Sequence, residues 1–450
     1  MTNINKYQDS VDAGKSLAVN LGLVQDQGFS LNSKLEKNNI AKKAVEKFLS
    51  LGLPTNKWED WKYTNLPNFI PENLKVALLS EKAESNFQLP YIDDITNDFK
   101  NASFLYFHNG RYQSERVQIH SGIEVIQGEQ GGINWEEELD STSNPFTLLN
   151  FGLHASQDYS QVIGLRFAEN YNEEESPVFI VHSFDNSHEV TPSLLHIEAC
   201  KHSNANVIEC FLGKQEEITE NLSVHTTFLN AHENSNLTHI KVSLINAGAL
   251  HIGQVTANIS QDAIVNNFTM NLSGKMNRHD LNFRLNGKNA HCQVDGLYAT
   301  KDSEHVDNFS FIDHRVANTT SAQLFKGVLD DKSRAVFTGK VQIERDAQQV
   351  DAEQLNKNIL LDKRARINTR PQLEVYADDV KCAHGATIGQ ISEEEIFYLE
   401  SRGISKEKAY NMLCHAFVAD VIMRLEKPKL EKWLLKILFN NFDRFEKVSS

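Results

Sequence analysis

The chain has 450 residues, of which 40% are hydrophobic and 23% charged, with a formal net charge of −15. That balance is globular, contains no apolar run near the roughly 18 residues of a transmembrane helix, and argues against nucleic-acid binding, which needs a basic surface. The length exceeds one ordinary compact domain and predicts two or three units, or one elongated repeat body with appendages. The opening MTNINKYQDSVDAGKS has neither a secretory nor a transit pattern, so a cytoplasmic protein is expected. Five scattered cysteines, Cys200, Cys210, Cys292, Cys382 and Cys414, form no C-x-x-C pair and fit reduced thiols.

Residues 1–95 read as a helical N-terminal domain. Ile40, Val45, Phe48 and Leu49 give one helix an apolar face, and Gly52 with Pro54 stops it. The block Trp58–Leu66, WEDWKYTNL, is predicted to be an aromatic anchor onto the next domain, ahead of a ligand-stacking site.

Residues 96–390 read as β-rich. Short β-branched and aromatic runs recur at about 12 to 16 residues between centres. They are Val117–Ile126, Val162–Phe167, Val178–Phe184, Leu194–Cys200, Ala205–Leu212, Leu222–Leu229, Leu237–Ile245, His251–Ile259, Ile264–Leu272, Leu281–Leu285, Ala290–Leu297, Val306–Phe311 and Ala335–Ile343. Almost no helix-period window interrupts them. A closed barrel of that many strands would enclose a large channel, and a two-sheet sandwich stays open. A solenoid is preferred, with coils of 20-odd residues stacking at about 4.8 Å. Asn204, Asn206, Asn230, Asn236, Asn266, Asn267, Asn277, Asn286 and Asn289 are the expected left-handed turn residues.

Residues 391–450 read as a small helical domain. Ser392 and Glu395 form a capping box, Gly403 suits a left-handed C-cap, and Ser405 caps a second helix. Ala409, Met412, Leu413, Ala416, Phe417 and Ile422 are expected on one apolar stripe, Pro428 ends that helix, and Leu430–Phe445 forms the last one. The basic residues of Lys427–Lys436 are read as a solvated helix face.

The stretch Ala377–Gly389, ADDVKCAHGATIG, concentrates chemistry. Asp378, Asp379, Cys382 and His384 offer the oxygen, sulfur and nitrogen donors that iron or copper uses. In an extended backbone Cys382 and His384 share a side. The pairs Cys200/His202 and His291/Cys292 are read as ordinary strand residues, and Cys414 as a small hydrophobe in a helix. Gly274–Lys275 lacks the rest of a phosphate loop, and no dinucleotide fingerprint, G-x-S-x-G elbow or H-E-x-x-H occurs.

The segments Phe325–Gly327 (FKG), Gln354–Leu361 (QLNKNILL), Thr369–Val380 (TRPQLEVYADDV), Lys381–Thr387 (KCAHGAT) and Ile396–Ile404 (IFYLESRGI) resemble the SufB/SufD family of iron–sulfur cluster assembly. The Trp58–Leu66 block and the Cys-x-His-Gly form of the motif are similar to the SufD side of that family. The resemblance implies a mainly β protein, a right-handed parallel β-helix core flanked by N-terminal and C-terminal helical domains. It implies a non-enzymatic scaffold subunit in a complex of one SufB, one SufD and two copies of the ATPase SufC. SufB would be met through the β-helix ends and SufC through the C-terminal helices.

By the same resemblance, His384 would help a nascent iron–sulfur cluster form between SufD and SufB, with Cys382 the neighbouring thiol. Tyr398, Arg402, Gly403 and Phe417 match positions of the SufC-binding segment; Tyr398 and Phe417 also fit simple helix packing. SufB-like chains carry glutamate where Gly385 stands, so a carboxylate ligand would come from the partner. No cofactor is expected to bind this chain stably by itself. A reduced flavin in the complex and a homodimer of the isolated chain are both left open. The alternatives weighed are a SufB-like primary cluster scaffold and a β-helix carbohydrate-active enzyme; no signal peptide or ladder of acids favours the latter.

Overall fold

The computed structural model describes residues 8–25, 30–77, 98–128, 133–156, 161–172, 176–213 and 218–442. Two long sheets face each other and the chain alternates between them. The parallel ladder of the first sheet comprises Val162–Phe167, Glu189–Ala199, Leu222–Ala231, Leu250–Ile259, Met276–Leu285, His305–His314, Arg334–Ile343 and Arg366–Val375. The second comprises Ser103–His108, Val178–Phe184, Asn204–Gly213, Asn236–Leu244, Ile264–Ser273, His291–Thr300, Thr320–Leu329, Val350–Leu360 and Val380–Gly389. This is a parallel β-helix of about eight coils, as the family resemblance implies.

The coils are longer than 20-odd residues. Leu250 aligns with Met276, 26 residues on, and Arg334 with Arg366, 32 residues on. Each coil holds two strands of about ten residues and two corners. One corner repeats a single left-handed residue coil after coil: Asn234 (φ 57°), Asp262 (56°), Asn289 (60°) and Asn318 (59°). Short polar side chains tolerate that backbone at least cost. Of the asparagines expected to turn the chain, Asn289 does so. Asn204, Asn206, Asn230, Asn236, Asn266, Asn267 and Asn277 lie within strands, and Asn286 follows one. Several stack between coils instead: Asn258 Nδ2 donates to Asn230 Oδ1 at 3.1 Å. In-register amides satisfy one another across a ladder, so polarity here does not mark a turn.

Both faces of each sheet are buried, which explains the near-continuous apolar runs. Inward rows, including Val178, Ile180, Leu229, Val265 and Phe283, fill the lumen. The outer face of the first sheet (Val190, Leu194, Val224, Phe228, Ile252) is covered by N-terminal helices α1 (Gln8–Asn20), α2 (Ser33–Glu36) and α3 (Asn39–Leu51) together with α4 (Trp135–Ser141) and α5 (Pro145–Ser156). The outer face of the second (Phe179, Ile208, Ile240, Phe268, Val328) is covered by C-terminal helices α7 (Lys406–Met423) and α8 (Pro428–Phe442), which follow α6 (Glu393–Ser401).

The helices α4 and α5 correct the expectation of unbroken β structure after residue 95. Pro145–Ala155 of α5 is buried on every side, so it offers no polar stripe and no period to read. Helix α3 buries Ala41, Ala44, Val45 and Phe48, and Gly52 ends it at φ 72°. A Cβ on Gly52 would lie 2.1 Å from the Ser10 carbonyl oxygen, so the α1–α3 contact requires glycine there. On α7 the buried residues are Ala409, Cys414, Val418, Val421 and Ile422; Met412, expected on that stripe, is 46% exposed. Pro428 opens α8, and Phe445 lies outside the described residues.

The N-terminal module is held by a buried charge cluster. Arg278 Nη2 lies 2.7 Å from Asp280 Oδ1 and its Nη1 2.8 Å from Asp307 Oδ2. The guanidinium sits 4.0 Å over the Trp61 ring and donates to the Asp60 carbonyl at 3.0 Å. Trp58 donates to Ser10 Oγ at 3.1 Å, and Thr64 bonds His305 and Asp307. The WEDWKYTNL block is therefore an anchor.

Candidate functional site

The two ends of the β-helix differ. At the N-terminal end, Arg111–Tyr112 and Ile123–Gln127 add antiparallel to the sheets. At the other end, Arg366–Val375 and Val380–Gly389 have no further strand beside them among the described residues. Their outer edges present unpaired N–H and C=O groups, a template for a partner. Val375, Tyr376 and Ile388 are 41%, 57% and 51% exposed at this tip.

Val380–Gly389 runs in register with Val350–Leu360, placing Cys382 opposite Ala352 and His384 opposite Gln354. Ala352 and Gln354 belong to the inward row, so Cys382 and His384 continue that row over the open mouth of the lumen. The shared side expected for the two residues is observed, with the side chains roughly 7 Å apart along the strand. Cys382 is half-buried against the lumen core, whereas His384 is exposed. Burial, and after it the Asp351 carboxylate, pushes the Cys382 thiol pKa up, so it holds its proton more firmly than a free cysteine.

Asp378 and Asp379 occupy the bend before the strand, where the Asp379 N–H donates to Gln348 Oε1 at 2.9 Å. No three of Asp378, Asp379, Cys382 and His384 bring ligand atoms within 4.8 Å of one another. The four donors do not form a metal centre within this chain, because the bend carries the carboxylates away from the inward row. Gly385 falls in the outward row: a Cβ there would sit 3.1 Å from Leu355 Cδ2. A glutamate at that position would leave the strand on the face opposite His384, so the glycine does not itself deprive this imidazole of a neighbour.

The C-terminal residues separate into two groups. Tyr398 (57% exposed), Arg402 and Gly403 (φ 86°) lie at the exposed end of α6, with the Arg402 guanidinium 5.1 Å over the Tyr398 ring. Phe397, 71% exposed, joins them and was not singled out in the sequence. Phe417 is elsewhere. It is half-buried beneath Lys326 of the FKG segment, whose Nζ lies 4.4 Å over its ring and donates to its carbonyl at 2.7 Å. The same ammonium reaches Asp420 Oδ1 at 2.5 Å. Phe417 thus fastens α7 to the second sheet and is not part of the Tyr398 surface.

The other thiol–imidazole pairs are structural. Cys292 is buried in the lumen core, while His291 bonds Thr320 Oγ1 at 2.7 Å. His202 occupies a left-handed corner (φ 59°) after half-buried Cys200. Cys414 is buried in α7. A cavity of about 420 Å³ opens between the N-terminal helices and the first sheet, lined by Trp58, Arg278, Arg284, Phe309 and Lys340 among others. No helix among the described residues is long and apolar enough to cross a membrane.

A model of the SufBD core domain of the SUF iron–sulfur cluster assembly system matches residues 181–417, and one of the SufBD N-terminal region matches residues 25–126. The iron–sulfur cluster assembly protein SufD of Escherichia coli is 28% identical over 399 residues, 88% of this chain and 90% of that one. A SufBD family protein of Synechocystis is 33% identical over 199 residues, 44% of each chain. Protein ABCI7, chloroplastic, of Arabidopsis thaliana is 30% identical over 229 residues, 50% of this chain and 47% of its own.

Proposed function

Since the chain belongs to the SufBD family, with the core-domain match covering more than half its length, we propose that it is a SufD-type, non-catalytic scaffold subunit of an iron–sulfur cluster assembly complex. The observation that carries this reading is the tip: two unpaired parallel edges, exposed Val375, Tyr376 and Ile388, and His384 at the mouth of the lumen. An SufB chain adding to these edges would cover the apolar residues and bring its thiolates to His384. The imidazole then supplies nitrogen to iron of the nascent cluster, which is cargo and not a resident cofactor. Cys382, half-buried and with its thiol pKa raised, stands behind His384 as a secondary thiol.

The exposed end of α6, with Phe397, Tyr398, Arg402 and Gly403, is the surface assigned to a SufC-type ATPase. ATP-driven movement there would reach the tip through α7, which Lys326 ties to the strand two rungs below His384. Such transmission requires two subunit arrangements of different contact energy. The cytoplasm suits this role, since nascent clusters and free thiols need a reducing compartment.

The test is anaerobic reconstitution of the complex of this chain with SufB and SufC, comparing the parent with His384→Ala. Cluster iron and sulfide should fall while the complex still elutes intact. Clusters accumulating at the parental rate on the variant would remove His384 from the site.

A further inference from the structure

The lumen holds a second constellation, unrelated to the tip. His182 (strand Val178–Phe184), Glu209 (Asn204–Gly213) and His225 (Leu222–Ala231) all point inward and are buried, with one ligand atom from each within 4.8 Å of the others. His225 Nε2 lies 2.5 Å from Glu209 Oε2, and His182 Nε2 lies 3.7 Å from the same oxygen. We propose that these three side chains bind one divalent first-row transition-metal ion, zinc in the first instance, inside the β-helix.

Three observations carry the assignment. Two neutral imidazoles and a carboxylate are a donor set suited to zinc and to ferrous iron, and three protein ligands leave one position for water. The cluster is also incomplete as a hydrogen-bond network. Neither ring nitrogen of His182 has a hydrogen-bond partner, and Glu209 Oε2 has no aligned donor, although all three atoms are buried. Each buried polar atom left so costs about 1–3 kcal/mol, which an ion at their focus would remove.

The third observation is the support around the carboxylate. His239 Nε2 approaches Glu209 Oε1 at 2.5 Å, and Thr227 Oγ1 donates to the same oxygen at 2.8 Å. Asn267 Nδ2 donates to His239 Nδ1 at 2.9 Å, so the His239 proton sits on Nε2 and points at Glu209. One oxygen is thus occupied by fixed donors and the other left facing His182 and His225, the outer arrangement that orients metal-binding carboxylates. Admitting an ion with bonds of about 2.1 Å requires the Glu209–His225 separation to open to about 3.3 Å while His182 closes slightly. Lys241, the nearest cation, is directed over the Phe211 ring at 4.7 Å.

The site is enclosed, so the ion would enter during folding. The full chain should therefore be produced in zinc-supplemented medium, washed with chelator, and its metal measured by elemental analysis. About one zinc per chain is expected, falling at least tenfold in His182→Gln and Glu209→Gln, and unchanged in His384→Ala. His239→Ala should weaken retention roughly 10- to 100-fold. Less than a tenth of an equivalent in the parent, or equal metal in parent and lumen variants, overturns the assignment. Anomalous scattering at the zinc edge on the parent needs no variant. A peak bonded to His182, Glu209 and His225 supports the site, and a peak elsewhere refutes it. The His384→Ala control keeps this outcome separate from the cargo chemistry at the tip.

Discussion

Replacing Arg278 by methionine probes how the N-terminal module is held. The side chain is fully buried and pairs with Asp280 and Asp307 at 2.7 and 2.8 Å. Removing one member of such a set leaves uncompensated buried charge, at a cost of about 3–5 kcal/mol. The lost stacking on Trp61 adds up to about 2 kcal/mol at a desolvated site, and methionine returns part of that by packing. A net loss of about 4 kcal/mol is expected. Burial, opposed by Arg278, already raises the Asp280 pKa, and without the guanidinium it rises further. A carboxylate whose folded pKa is raised binds more protons in the native state, so the deficit should shrink as pH falls from 7 towards 5. Urea unfolding followed by tryptophan emission reads this directly, because Trp58 and Trp61 lie at the anchor. A loss below about 1 kcal/mol at neutral pH, or one that does not change with pH, would refute the reasoning.

Two further perturbations test other contacts. Glu198 accepts from His232 at 2.9 Å and from Arg166 at 2.6 Å, and these bonds hold its pKa down to about 2. Its contribution is present above the ordinary carboxylate range and lost as pH falls through about 2; Glu198→Gln should lower the melting temperature at pH 7 and leave little difference near pH 2, the pair being half-exposed and its effect modest. Lys326→Met keeps the stem but removes the ammonium that ties α7 to the sheet; an expected loss of about 1–3 kcal/mol should appear as faster amide exchange in Lys406–Met423, with the β-helix core unchanged.

The sequence made the strands legible where both faces are apolar. VFIVHSF, Val178–Phe184, is buried throughout and reads as a strand at sight. Thr320–Leu329 and Val350–Leu360 escaped notice because their inward rows carry Gln323, Gln354, Asn356 and Asn358. Those amides are satisfied by groups on other coils, as when Gln354 Nε2 donates to Gln323 Oε1 at 2.8 Å, 31 residues away. A local window sees only the polarity. Helix α5 was hidden for the opposite reason, having no polar side at all. His384 was recognised from a short contiguous motif, and its exposure on the final rung agrees with that reading. His182, Glu209 and His225 are separated by 27 and 16 residues and meet only through the coil register, which no spacing rule in the sequence announces.

Coil number also acts as a ruler. Three rungs of the first sheet separate the strand bearing Arg278 from the final strand, Arg366–Val375, a height of about 14 Å at the usual strand spacing. Two rungs of the second sheet, about 10 Å, separate Lys326 from His384. Inserting or deleting one whole coil would leave every corner and ladder intact yet shift the terminal imidazole by a full step relative to both helical clamps. Changes in loop length at the corners would not. The reach of this subunit is therefore quantised, and any partner that must touch both the α6 surface and the open mouth reads the count.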